Sequence, residues 1–134
     1  MTINQEDKNS LIKYRIQQAE ETNKDVQLLI DNDRLRAAVN RIYYEMFYSL
    51  LALALSEDFE TSKYPQLIGW FNKNIIHTKL IEPDYGKIVN KAYNRRTKGD
   101  YDIHVDFDKD TVIEMHGEMN KFIFRIKEFL KIDQ

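Results

Sequence analysis

Residues 34–56, RLRAAVNRIYYEMFYSLLALALS, are apolar around most of a helical circumference. Leu35, Val39, Ile42, Met46, Leu50 and Ala54 recur at spacings of three and four and form one stripe, which Tyr43, Phe47 and Leu51 widen. A helix with so broad an apolar surface belongs at the centre of a bundle or in an interface. It is not a membrane span. Its longest apolar run, Phe47 to Leu55, contains polar Tyr48 and Ser49 and falls far short of the roughly 20 residues a bilayer requires.

The rest of the chain supplies helices to surround it. Only four glycines and two prolines interrupt 134 residues, and no Val/Ile/Thr run alternates with polar residues over strand length. A first helix is predicted over about 6–31, with Ile12, Ile16, Ala19, Val26 and Ile30 on one stripe interrupted at Asn23. Asn32 and Asp33 end it, and Asp33 is expected to cap the second. A third helix, about 63–79, carries Leu67, Trp70, Phe71, Ile75 and Ile76 and stops at Glu82-Pro83-Asp84. A short fourth runs from about Tyr85 to Arg96, and a loop centred on Lys98-Gly99-Asp100 follows. Asp108 is expected to cap the last helix, whose stripe is Val112, Met115, Met119, Phe122, Ile126 and Phe129 and which runs to about Lys131. Gly117 inside it costs about 1 kcal/mol relative to alanine, so a close helix crossing is expected there. The expected fold is all-α, a single domain over residues 1–134, built as an up-and-down bundle of four to five helices.

Composition narrows the chemistry. Without cysteine there is neither a disulfide framework nor a thiolate zinc site, and the spacing of His77, His104 and His116 suggests no metal site. No cofactor is implied. The first ten residues lack the form of a signal peptide, so the expected location is the cytoplasm, with no membrane partner. A net charge of −2 excludes a uniformly basic nucleic-acid binder. The charge is nevertheless uneven. Residues 86–99 hold Lys87, Lys91, Arg95, Arg96 and Lys98 with no acid, and Asp100, Asp102, Asp106, Asp108 and Asp110 follow at once. A solvated helix end followed by an acidic helix start would look the same.

Two stretches carry a family likeness. Residues 36–52, RAAVNRIYYEMFYSLLA, resemble the "NRxYYAMFY" helix of HEPN proteins, and residues 93–107, YNRRTKGDYDIHVDF, resemble the family's arginine-containing segment ahead of its final helix. FNKNIIHTKLIEPDYGKIV, between them, is similar to the family's middle helices. The resemblance implies an HEPN-like helical bundle that pairs as a homodimer and acts with a minimal nucleotidyltransferase protein, in a toxin–antitoxin or defence setting. In ribonuclease members an arginine and, after four to six intervening residues, a histidine cleave RNA without metal. Arginine forks onto phosphate, and a neutral histidine moves protons at pH 7. Here Arg96 matches the family arginine. Tyr101 stands where the histidine would be, after four intervening residues, and His104 comes after seven, one beyond the family window.

The candidate catalytic residues are therefore Arg96, Tyr101 and His104. The candidate RNA- or nucleotide-binding residues are Asn40, Arg41, Tyr44, Lys91, Arg95, Arg96 and Lys98. Each has a plainer alternative: Arg96 paired with Asp100 or Asp102, Tyr101 packed with its hydroxyl satisfied, Asn40 and Arg41 in an internal clamp, Tyr43 and Tyr44 as packing. Three functions remain open: a binding module for RNA or nucleotide, a metal-independent endoribonuclease with a degenerate motif, and a structural dimerisation domain.

Overall fold

The computed structural model describes residues 4–101 and 106–132, with the side chains of residues 98–101 outside the description. Among the described residues there are five α-helices and no strand. They are α1 (Gln5–Asp31), α2 (Leu35–Ser56), α3 (Tyr64–Phe71), α4 (Pro83–Tyr101) and α5 (Lys109–Leu130). A π-helical turn, Asn72–Ile76, extends α3. Long-range pairs fix the directions. Lys8 reaches Asp58 at 2.8 Å, so α1 and α2 are antiparallel. Lys109 reaches Asp33 at 2.8 Å and Lys127 reaches Glu20 at 3.2 Å, which sets α5 antiparallel to α1. Arg125 to Glu82 (2.9 Å) and Lys91 to Glu118 (3.3 Å) set α4 antiparallel to α5. Thus α1, α2, α4 and α5 run up, down, up, down, with α3 and its π turn in the connection between α2 and α4.

The apolar second helix lies at the centre. Ile42, Leu50, Ala52 and Leu53 of α2 are fully buried, and α1, α4 and α5 pack on it and bury Val26, Val89 and Phe122 in the same core. Each large apolar side chain so buried contributes roughly 1.5–3 kcal/mol relative to exposure. The exposed ion pairs that mark the helix directions contribute about 0–1 kcal/mol each and so orient more than they stabilise.

Several boundaries differ from the sequence reading. Asp33 does not cap α2; its φ of 56° makes it the left-handed close of α1, where the Arg34 N–H bonds to the Leu29 carbonyl at 2.8 Å. Position 34 itself is the N-cap of α2, and no side chain caps there. The fourth helix is longer than expected at both ends. Pro83 opens it, as a residue lacking an N–H can, and the backbone stays helical through Lys98-Gly99-Asp100 to Tyr101, so the predicted loop is not a loop. One glycine costs too little to end a helix anchored on a core. Gly117 marks no close crossing either: a Cβ there would meet nothing within 4 Å. Asp108 does cap α5, its carboxylate accepting from the Thr111 N–H at 3.3 Å.

Candidate functional site

The N-terminal end of α2 carries charge of the wrong sign for a helix. Arg34 is the N-cap, Arg36 lies in the first turn, and that turn holds no acid. Cations are disfavoured at this end because the helix macrodipole is already positive there. Asp33, the neighbouring carboxylate, is drawn off to Lys109 at 2.8 Å. What these residues border is a cleft of about 820 Å³, lined by Asp33, Arg34, Arg36, Asn40, Tyr44 and Arg96 together with Leu35, Ala37, Val39 and Phe107. Three guanidiniums, one amide and two aromatic rings therefore share a cavity of small-ligand size. Among the described residues no N-cap side chain bonds to the first N–H groups of α2, and a helix N-terminus is a donor set that suits an anion.

Guanidiniums beside this cleft rest on rings. The Arg96 Cζ lies 4.5 Å from the centroid of Tyr43, Arg41 lies 5.1 Å from that of Tyr44, and Arg36 lies 5.8 Å from that of Phe107. Tyr43 is buried within a cluster formed with Tyr44, Tyr64 and Tyr93. Burial pushes the Tyr43 phenol above its usual range although the Arg96 charge pulls the other way. Tyr64 is raised too, again chiefly by burial. Both phenols are protonated at neutral pH.

Of the residues singled out from the sequence, Asn40, Tyr44 and Arg96 line the cleft, and Arg41 stands against Tyr44 beside it. Lys91 and Arg95 turn toward α5. Lys91 pairs with Glu114 (3.5 Å) and Glu118 (3.3 Å), and Arg95 borders a small hollow with Ile42, Met115 and Glu118. They lie one helical turn apart on one face, while Arg96 is rotated about 100° from Arg95. Lys98 and Tyr101 belong to α4 by backbone, with side chains outside the description, and His104 lies outside the described residues altogether.

Arg34, Arg36 and Phe107 were missed from sequence. The signal that could have found them is Asp33-Arg34-Leu35-Arg36 at a predicted helix start, where acids are expected and arginines occur instead.

A second polar feature sits deeper. Glu45 of α2 is fully buried, and neither carboxylate oxygen has a hydrogen-bond partner of sound geometry among the described residues. Burial pushes its pKa up to about 8, against a smaller opposing pull from the Asn23 amide of α1. That amide instead donates to Asn120 of α5. The two asparagines explain the break in the α1 stripe, and Glu45 is the neutral acid beside them.

No helix among the described residues is long and apolar enough to cross a membrane. The HEPN domain family matches residues 12–130. A Thermotoga maritima relative, named "UPF0332 protein", is 32% identical across 93% of this chain and 95% of its own. Two Methanocaldococcus jannaschii relatives are each named "Putative toxin": one is 36% identical over 90% of this chain and 89% of its own, the other 29% over 86% and 78%. An all-helical bundle, a match spanning nearly its whole length and full-length relatives above 30% identity lead to one conclusion: the chain belongs to the HEPN domain family.

Proposed function

We propose that the chain is a toxin-type HEPN module that binds RNA or a nucleotide in the cleft between α2 and α4. The observation that carries this reading is the convergence of Arg34, Arg36 and Arg96 on one cavity of about 820 Å³ at an uncapped helix N-terminus. Planar guanidinium forks and a helix N-terminus suit phosphate, and Tyr44 and Phe107 offer ring faces to a base. In this reading the protein works in the cytoplasm as a homodimer and acts with a minimal nucleotidyltransferase, as the family resemblance implies. The names of the two Methanocaldococcus jannaschii relatives support a toxin role.

The test is fluorescence anisotropy with a labelled single-stranded RNA oligonucleotide. Arg96→Ala should weaken binding at least tenfold, the order expected for a charged hydrogen-bonding group, with an unchanged helical circular dichroism spectrum. Undiminished binding by that variant would sink the reading. Light scattering on the native chain should give twice 16.1 kDa, and a monomer would remove the dimer. Affinity capture from the native cell should recover a nucleotidyltransferase, and its absence would remove that partner.

Metal-independent endoribonuclease activity is the second reading, one way for a toxin, the role those relatives' names print, to act. It requires proton transfer from the segment holding Tyr101 and His104. Cleavage in EDTA should then fall by about 10²-fold or more in Tyr101→Phe with His104→Ala. Cleavage that survives both changes would exclude these residues as the proton carriers.

A further inference from the structure

Arg96 reaches the cleft across a ring. Its Cζ stands 4.5 Å from the centroid of Tyr43, and that ring is only 1% exposed. Tyr64, Tyr44 and Tyr93 hold the ring in place, at centroid distances of 5.2, 5.9 and 6.2 Å. Tyr93 and Arg96 occupy the same turn of α4, while Tyr43 lies three residues beyond Asn40 on α2. The ring is thus fixed by both helices that wall the cleft.

We propose that Tyr43 is the positioning residue for Arg96, its ring face fixing the guanidinium so that the N–H edges are set for an anion in the cleft. The proposal rests on the reading that Arg96 binds phosphate. Arginine has a long side chain whose torsional freedom must be given up on binding, and a side chain ordered beforehand gives up less. Rings hold cations more strongly when water is excluded. Of the three arginine–ring pairs at the cleft, the Tyr43 pair is the shortest and the only one built on a buried ring. The ring, and not the hydroxyl, is the working part, because the Tyr43 Oη finds no hydrogen-bond partner among the described residues.

Two readouts test this, one of binding and one of Arg96 itself. Tyr43→Phe should bind the RNA oligonucleotide within about twofold of the native chain, since it keeps the ring face. Successively fluorinated phenylalanines in place of Tyr43 keep the volume but drain charge from the ring face. They should weaken binding stepwise, by about three- to tenfold at the most fluorinated. In parallel, the NMR order parameter of the Arg96 Nε–H should be high in the native chain and in Tyr43→Phe. It should fall across the fluorinated series and in Tyr43→Leu, at unchanged helix content.

Arg96→Ala losing binding while the fluorinated series stays flat would overturn the positioning role and leave the RNA reading intact. Native protein that binds no RNA would overturn the RNA reading instead. The Arg96 order parameter then decides the hold by Tyr43, and an unaltered value in Tyr43→Leu refutes it.

Discussion

Glu45 has exchanged water for a core that offers its carboxyl almost nothing. An ionised carboxylate buried without partners is costly, and the group responds by keeping its proton. With a pKa pushed up to about 8 from 4.5, the folded chain binds this proton more tightly than the unfolded chain does. Between about pH 4.5 and 8, unfolding therefore releases a proton, and stability declines as pH rises through that window. The decline levels off above the folded pKa. The full difference is on the order of 5 kcal/mol, from about 1.4 kcal/mol per unit. His116, on α5, has the opposite slope: burial lowers its pKa, so its contribution is present above the usual 6.5 and is lost as pH falls from there through the lowered folded value. Comparing the native chain with Glu45→Gln isolates the acid. Urea midpoints from pH 5 to 9 should converge at the acid end, with the variant gaining over the native chain toward pH 9. A constant difference across the range would show that Glu45 ionises as an ordinary carboxylate. At this scale the sequence was a partial guide. Asn40, Tyr44 and Arg96, which line one cleft, were singled out because the two segments that hold them resemble known ones, whereas Glu45 was hidden by lying on a helix apolar on nearly every side.

Helix ends show an inversion in how glycine is used. Asp33, Asp58, Lys79 and Lys131 close helical segments at φ between 56° and 63°, each followed by an N–H bonded five residues back. That closure ordinarily takes glycine, since a Cβ in the left-handed region costs about 1–2 kcal/mol. The chain's four glycines, at positions 69, 86, 99 and 117, all lie inside helices instead. Lys79→Gly should accordingly raise stability by about 1 kcal/mol. Gly117→Ala, at a site where a Cβ meets nothing within 4 Å, should add a similar amount. Calorimetric melting checks both, and a loss of stability in Gly117→Ala would reveal something packed on the outer face of α5. This inversion also explains which boundaries the sequence conveyed. Apolar periodicity located every helix, and Asp108 announced α5 correctly. Lys98-Gly99-Asp100 misled because glycine was read as punctuation in a chain that does not use it so. The π turn after α3 has no signature in side-chain spacing at all.

The bundle brings residues 34–44 and residue 96 to one cleft although half the chain separates them. The packing of α4 on α2 does this. What they assemble is a concentration of like charge. Arg34, Arg36 and Arg96 border the cleft at the positive end of α2, an arrangement that costs roughly 0.3–1 kcal/mol for each cation near the helix end. Arg34→Gln should therefore melt at a slightly higher temperature than the native chain in dilute buffer. The gap should close as added salt screens the repulsion over a few ångströms. A gap that widens with salt would mean Arg34 is held by a favourable pair. The same imbalance has a practical side. An anion that fills the cleft stabilises the fold in proportion to how tightly it binds. Melting temperature becomes a compass. A panel of phosphates, nucleotides and oligonucleotides, ranked by the heat each lets the protein survive, will show which of them it holds most tightly without an assay for what it does there.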